Sequence, residues 1–142
     1  MIPREKYPLW LRIFLAFCWY GVIWCITELP ISTTDSTGTF WEWIGLPALN
    51  GSFRVLSHMF VFGVQSLFIY FVFSPIFSFS KKWIFFTLLL VALLGIVDEV
   101  HQSFKPGRFP RALDVGKDVI GATLFLYVTV MSKKKGRSLL FR

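Results

Sequence analysis

Residues 95–126 read GIVDEVHQSFKPGRFPRALDVGKDVIGATLFL, and this stretch decides the fold. An apolar run enters it, four acids, four bases and a histidine follow, and a second apolar run leaves it. Trp83 to Val97 supplies fifteen apolar or hydroxyl-bearing residues ahead of Asp98 and Glu99, too few to cross a hydrocarbon core that takes about 20 residues of helix. Val119 to Met131 is shorter still and must recruit Val115, Lys117 and Asp118 to reach across. Spans built from these runs carry ionisable groups, which are costly at membrane depth and point to function.

The rest of the chain fits that setting. Of its 142 residues 55% are hydrophobic and 19% aromatic, and the mean hydropathy of +0.62 excludes an ordinary soluble domain. The composition predicts an all-α polytopic membrane protein of one domain. Its four transmembrane helices are expected at about residues 9–29, 53–73, 83–103 and 114–131, with a basic tail over 132–142. The net charge of +7 does not imply a nucleic-acid partner, because the bases sit beside apolar runs instead of forming a stripe; anionic lipid is the expected counterion.

Arg4 and Lys6 precede the first apolar run in the manner of a secretory signal, yet that run continues to Leu29 without a small-residue cleavage site, so it is expected to stay as an anchor. Arg12 is expected to reach back to the inner interface, and Glu28 with Pro30 to end the span. Cys18 and Cys25, seven residues apart on one helix face, read as buried free thiols. Residues 40–46 are expected to form a short interfacial helix, with Asp35, Glu42 and Arg54 as solvated loop charges.

The bases also give an orientation. Ten of the fifteen lie in the N-terminal segment, the loop at Lys81 and Lys82, and the tail, which predicts cytoplasmic N- and C-termini. Seven of the eight acids fall on the other side. Glu28, His58, Asp98, Glu99, His101, Gln102, Arg108, Asp114 and Asp118 are thereby placed at one depth near the outer boundary. Lys105, Arg108, Arg111 and Lys117 also lie there, against the usual bias, and are expected to pair with these acids or to bind an anion.

Spacing says which of these share a face. Gln102 stands i+4 from Asp98 and i+3 from Glu99, and Asp114, Asp118 and Gly121 form one stripe, the glycine admitting a neighbouring helix or an acyl chain. Pro106-Gly107 supplies a turn that sets the two helices face to face. Structural roles stand beside these: Asp114 as a helix cap, His101 and Lys117 as interfacial groups with their heads in water, Glu28 as a helix-end residue and Gln65 as an interhelical hydrogen-bonding group. Two adjacent acids at a helix C-terminus, where the dipole is negative, need a cation, a base or a proton beside them.

The run D-E-x-x-Q-x-F-x-x-G-R followed by D-x-x-x-D-x-x-G, carried by Asp98, Glu99, Gln102, Phe104, Gly107, Arg108, Asp114, Asp118 and Gly121, resembles the VanZ-like family of small bacterial membrane proteins. His58 in LSHMFVFG matches the family's histidine at the head of the second span, and Thr27-Glu28-Leu29-Pro30 is a looser match. The family pattern often has asparagine where this chain has Asp118. The resemblance implies a multi-pass protein of the bacterial cell membrane, a link to resistance to the glycopeptide teicoplanin, and a structural likeness to enzymes that exchange or hydrolyse lipid headgroups, such as phosphatidylserine synthases.

Two functions from different classes follow. The first is an intramembrane lipid headgroup phosphoester hydrolase or transferase, acting on membrane lipids or lipid-linked cell-wall precursors at the outer leaflet. In it Arg108 and Arg111 hold the phosphate, His58 is general base or acid, and Asp98 or Glu99, on whose face Gln102 lies, orients it or takes the second proton-transfer role; Asp114 and Asp118 position the nucleophile. No cofactor or metal is expected, since the four bases can neutralise the acids; the alternative is a hard divalent cation such as Mg or Mn held by Asp114, Asp118, Asp98 and Glu99. The second function is a non-catalytic binding or occluding membrane protein that alters envelope access or antibiotic susceptibility. A small transporter subunit is disfavoured because the charges lie to one side of the midplane.

Overall fold

Apolar residues occupy every face of each long run, the pattern of helices that meet an apolar medium outside and one another inside. The structure, a computed structural model, describes residues 7–28, 49–73, 81–104 and 110–134. These form α1 (Leu9–Glu28), α2 (Leu49–Phe73), α3 (Lys81–Ser103) and α4 (Ala112–Lys134). All four are long and apolar enough to cross a membrane, which suggests a multi-pass membrane protein.

The helix ends follow local chemistry. Pro8 opens α1, its carbonyl accepting the Leu11 N–H at 3.1 Å. A turn from Phe104 N–H to the His101 carbonyl closes α3 at 3.2 Å, and the Arg111 carbonyl accepts the Asp114 N–H at 2.9 Å where α4 begins. Helix α2 starts earlier than the sequence predicts, at Leu49, so the Asn50-Gly51-Ser52 segment is helical. The expected interfacial helix over 40–46, the Pro106-Gly107 turn with Arg108, and the tail beyond residue 134 lie outside the described residues.

Helix α2 is the hub. It packs along α4 over the longest seam and also against α1 and α3, while α3 packs on α4. Ile23, Phe62, Ile69, Val91 and Ala122, drawn from all four helices, form the core. Outward, Phe14, Phe17, Phe60, Phe85, Leu93 and Tyr127 are exposed; such a coat suits a lipid environment and would be a liability in water.

Helix α1 presents Arg12, Trp19, Ile23 and Thr27 to the bundle, a single i, i+4, i+7 face. Cys18 and Cys25 do share a face as expected, but they are exposed and not buried. Their face is the one turned away from α2, because the larger Trp19 and Ile23 occupy the packed side. Arg12 is buried: its Nε donates to the Tyr7 carbonyl at 3.0 Å, and its Nη1 reaches the Phe71 and Val72 carbonyls at 3.5 and 3.4 Å. Those are last-turn carbonyls of α2, which have no helical partner and sit at the negative end of its dipole.

Candidate functional site

Three helix segments converge at one end of the bundle. His58 comes from the third turn of α2, Asp98, Glu99 and Gln102 from the last turns of α3, and Asp114 and Asp118 from the first turns of α4; all six are buried. Antiparallel connection of α3 to α4 puts the end of one beside the start of the next, and α2 enters at the same end.

The contact that ties the site together crosses the α2–α4 seam. His58 Nδ1 lies 3.0 Å from Asp118 Oδ1. The tautomer in which Nδ1–H donates to this carboxylate leaves Nε2 as the acceptor nitrogen. The His58 ring lies parallel to that of Phe62, 6.4 Å away, on the floor that separates the polar end from the apolar core.

Two glycines make this approach possible. A methyl group on Gly121 would fall on the Met59 backbone carbonyl, so α4 lies directly against the α2 backbone one residue from His58. On Gly95 a methyl group would come 2.8 Å from Asp118 Oδ2, so the Asp118 carboxylate rests against the α3 backbone. Of the neighbours expected for Gly121, a helix or an acyl chain, the structure supplies a helix.

The acids of α3 divide their work. Gln102 Nε2 donates to Asp98 Oδ2 at 2.5 Å, so of the two acids it faces, Gln102 takes Asp98. Glu99 Oε2 accepts the backbone N–H of Arg111 at 2.7 Å, clamping the end of α3 to the start of α4. Its other oxygen, Oε1, has no hydrogen-bond partner among the described residues, and neither does Asp118 Oδ2. Asp114, in the first turn of α4 as a cap would be, pairs with the Lys117 ammonium group. One ligand atom each from His58, Glu99 and Asp114 lie within 4.8 Å of one another.

The structure thus brings together His58, Asp98, Glu99, Gln102, Asp114 and Asp118 as expected from their shared depth. It pairs His58 with Asp118, where the sequence reading gave the orienting role to Asp98 or Glu99. The Arg111 side chain is exposed, and the residue enters the site through its backbone. Arg108 and the Glu28 side chain lie outside the described residues.

Trp19, Tyr20 and Trp24 of α1 are expected from the sequence as interfacial or packing rings, and the structure turns two of them onto α3 at this end. Trp24 stacks on His101 with ring centroids 4.1 Å apart and planes 5° from parallel, so the imidazole is covered and not in open water. Tyr20 donates its hydroxyl hydrogen to the Leu94 carbonyl at 3.1 Å, one turn from Asp98. The abundance of aromatic residues in α1 was visible in the sequence; which of them faced α3 was not. Gln65 Nε2 reaches the Ala16 carbonyl across α1 and α2 at 3.4 Å, the interhelical role expected of it.

Comparison with protein-family models, with curated proteins and with solved structures finds no match for this chain.

Proposed function

We propose that this chain is a VanZ-like integral membrane protein of the bacterial envelope that acts on the phosphate of a lipid headgroup or of a lipid-linked wall precursor at the outer leaflet. The observation that carries this reading is the buried His58–Asp118 pair, enclosed with Asp98, Glu99 and Asp114 at one end of a largely apolar bundle. Buried ionisable groups in so apolar a chain are expensive to keep. Grouped around a histidine with one nitrogen fixed and the other available, they form an acid–base unit.

In this reading the cytoplasmic termini put the polar end at the outer boundary, where a headgroup phosphate lies. Asp118 orients His58, whose Nε2 takes or returns the proton. Arg111, exposed beside Glu99, and Arg108 meet the phosphate oxygens. Asp98, held by Gln102, and Asp114, held by Lys117, set the polarity of the chamber around the reacting group.

The test is lipidomic. The parent, His58→Ala and Asp98→Asn are expressed at matched membrane levels, and polar lipids and lipid-linked precursors are compared by mass spectrometry. A headgroup change made by the parent and lost in both variants is expected. An unchanged lipid profile, with a drug-susceptibility phenotype that survives His58→Ala, would overturn it in favour of binding without catalysis.

A further inference from the structure

The polar end also has the makeup of a metal site, and with a different ligand set from the all-carboxylate one that spacing suggested. His58, Glu99 and Asp114 come from three different helices, each is more than nine-tenths buried, and one ligand atom from each lies within 4.8 Å of the other two. Ligand atoms around a tetrahedral ion at about 2.0–2.2 Å stand roughly 3.4 Å apart, so closure on an ion asks for side-chain movement on the order of 1 Å.

Two further observations point to a ligand in this place. Glu99 uses Oε2 for the Arg111 N–H and leaves its buried Oε1 without a hydrogen-bond partner among the described residues. His58 has Nδ1 committed to Asp118, which is how proteins orient a ligating imidazole: an outer carboxylate fixes the tautomer and turns the other nitrogen to the ion. Four buried carboxylates, Asp98, Glu99, Asp114 and Asp118, meet here, with Lys117 on Asp114 as a cationic neighbour. A dication would offset charge that burial makes costly.

We infer that His58, Glu99 and Asp114 bind a divalent transition ion of the Zn(II) or Mn(II) class, with Asp118 as the positioning residue behind His58. One imidazole with two carboxylates favours such an ion over Mg(II) or Ca(II), which prefer oxygen alone. Three protein ligands leave a coordination position open, the arrangement of a site that also takes water or a substrate oxygen. An ion on Nε2 takes the lone pair that would otherwise accept a proton, so the loaded protein uses His58 as a ligand and not as a base. The inference stands on side-chain placement and does not depend on the lipid reading.

The test uses the full chain in detergent micelles, purified without a histidine tag, stripped with chelator and titrated with Zn(II), Mn(II) or Mg(II). Metal content after desalting and the thermal unfolding midpoint are read without any lipid substrate, so failure here leaves the lipid assay standing, and the reverse. Zn(II) or Mn(II) is expected to be retained at about one ion per chain and to raise the midpoint by about 5 °C or more, with Mg(II) doing neither. Glu99→Gln and Asp114→Asn should lose the retained ion. Asp118→Asn should weaken affinity about 10–100-fold while keeping the stoichiometry, and Thr123→Ala, on the exposed face of α4, should match the parent. Retention by Glu99→Gln and Asp114→Asn equal to the parent's, or a stripped parent that neither retains ion nor shifts its midpoint, would overturn the inference. Because the stripped parent is its own reference, a variant that fails to fold does not remove the test.

Discussion

Helix α1 and the α2–α4 seam are held by different means. The seam is backbone against backbone: Gly121 lies on the Met59 carbonyl, and a buried imidazole meets a buried carboxylate beside it. Helix α1 lies against α2 alone over any length and reaches α3 by way of two aromatic side chains, Tyr20 and Trp24. Close approach demands small residues and tolerates no addition, whereas side-chain bridges tolerate exchange. The seam should therefore be brittle and the α1 flank forgiving.

The sharpest way to break this contrast is Gly121→Ala. Its new methyl group meets backbone, which cannot swing aside, so α4 must move off α2; a loss of about 2–3 kcal/mol is expected, read by unfolding in detergent and by protease sensitivity. Next is His58→Ala, which strips Asp118 of its partner in a buried setting and should cost roughly 3 kcal/mol. The double variant His58→Ala with Asp118→Asn should cost less than the two singles added together, and additive losses would mean the pair is not coupled.

On the flank, Trp19→Phe removes the indole N–H bond to the Val61 carbonyl at 2.9 Å but keeps most of the ring contact. A loss of about 1 kcal/mol is expected. Smallest of all, Cys18→Ser together with Cys25→Ser, on the outward face of α1, should shift stability by no more than about 0.5 kcal/mol, read by unfolding in detergent. A flank substitution that costs as much as Gly121→Ala would show that α1 is integral to the seam.

Helix number and order were legible because apolar runs bounded by Pro, Gly and charge have few other readings. The polar cluster was legible through topology: four spans with a fixed alternation place His58, Asp98, Glu99, Asp114 and Asp118 at one end. Partner choice within the cluster was not. Whether His58 meets Asp118 or Asp98 depends on the rotation of α4 about its axis, and that rotation is set by Gly121 docking on α2, a tertiary fact. The same limit explains the cysteines, since periodicity fixed their common face but not which way α1 turned it. Arg12 on the α2 carbonyls required knowing that α1 and α2 run antiparallel in close register.

Gly95 has a consequence for how such a protein is dissected. The Asp118 carboxylate leans on a patch of α3 where no side chain exists, so part of what shapes the site is missing atoms. Scanning the chain with alanine, the usual way to find what matters, deletes groups at most positions but adds one at each glycine, and here and at Gly121 the addition falls beside the site. Read only for polar positions, such a scan would credit the site to its charges and overlook the two empty places that let the charges meet.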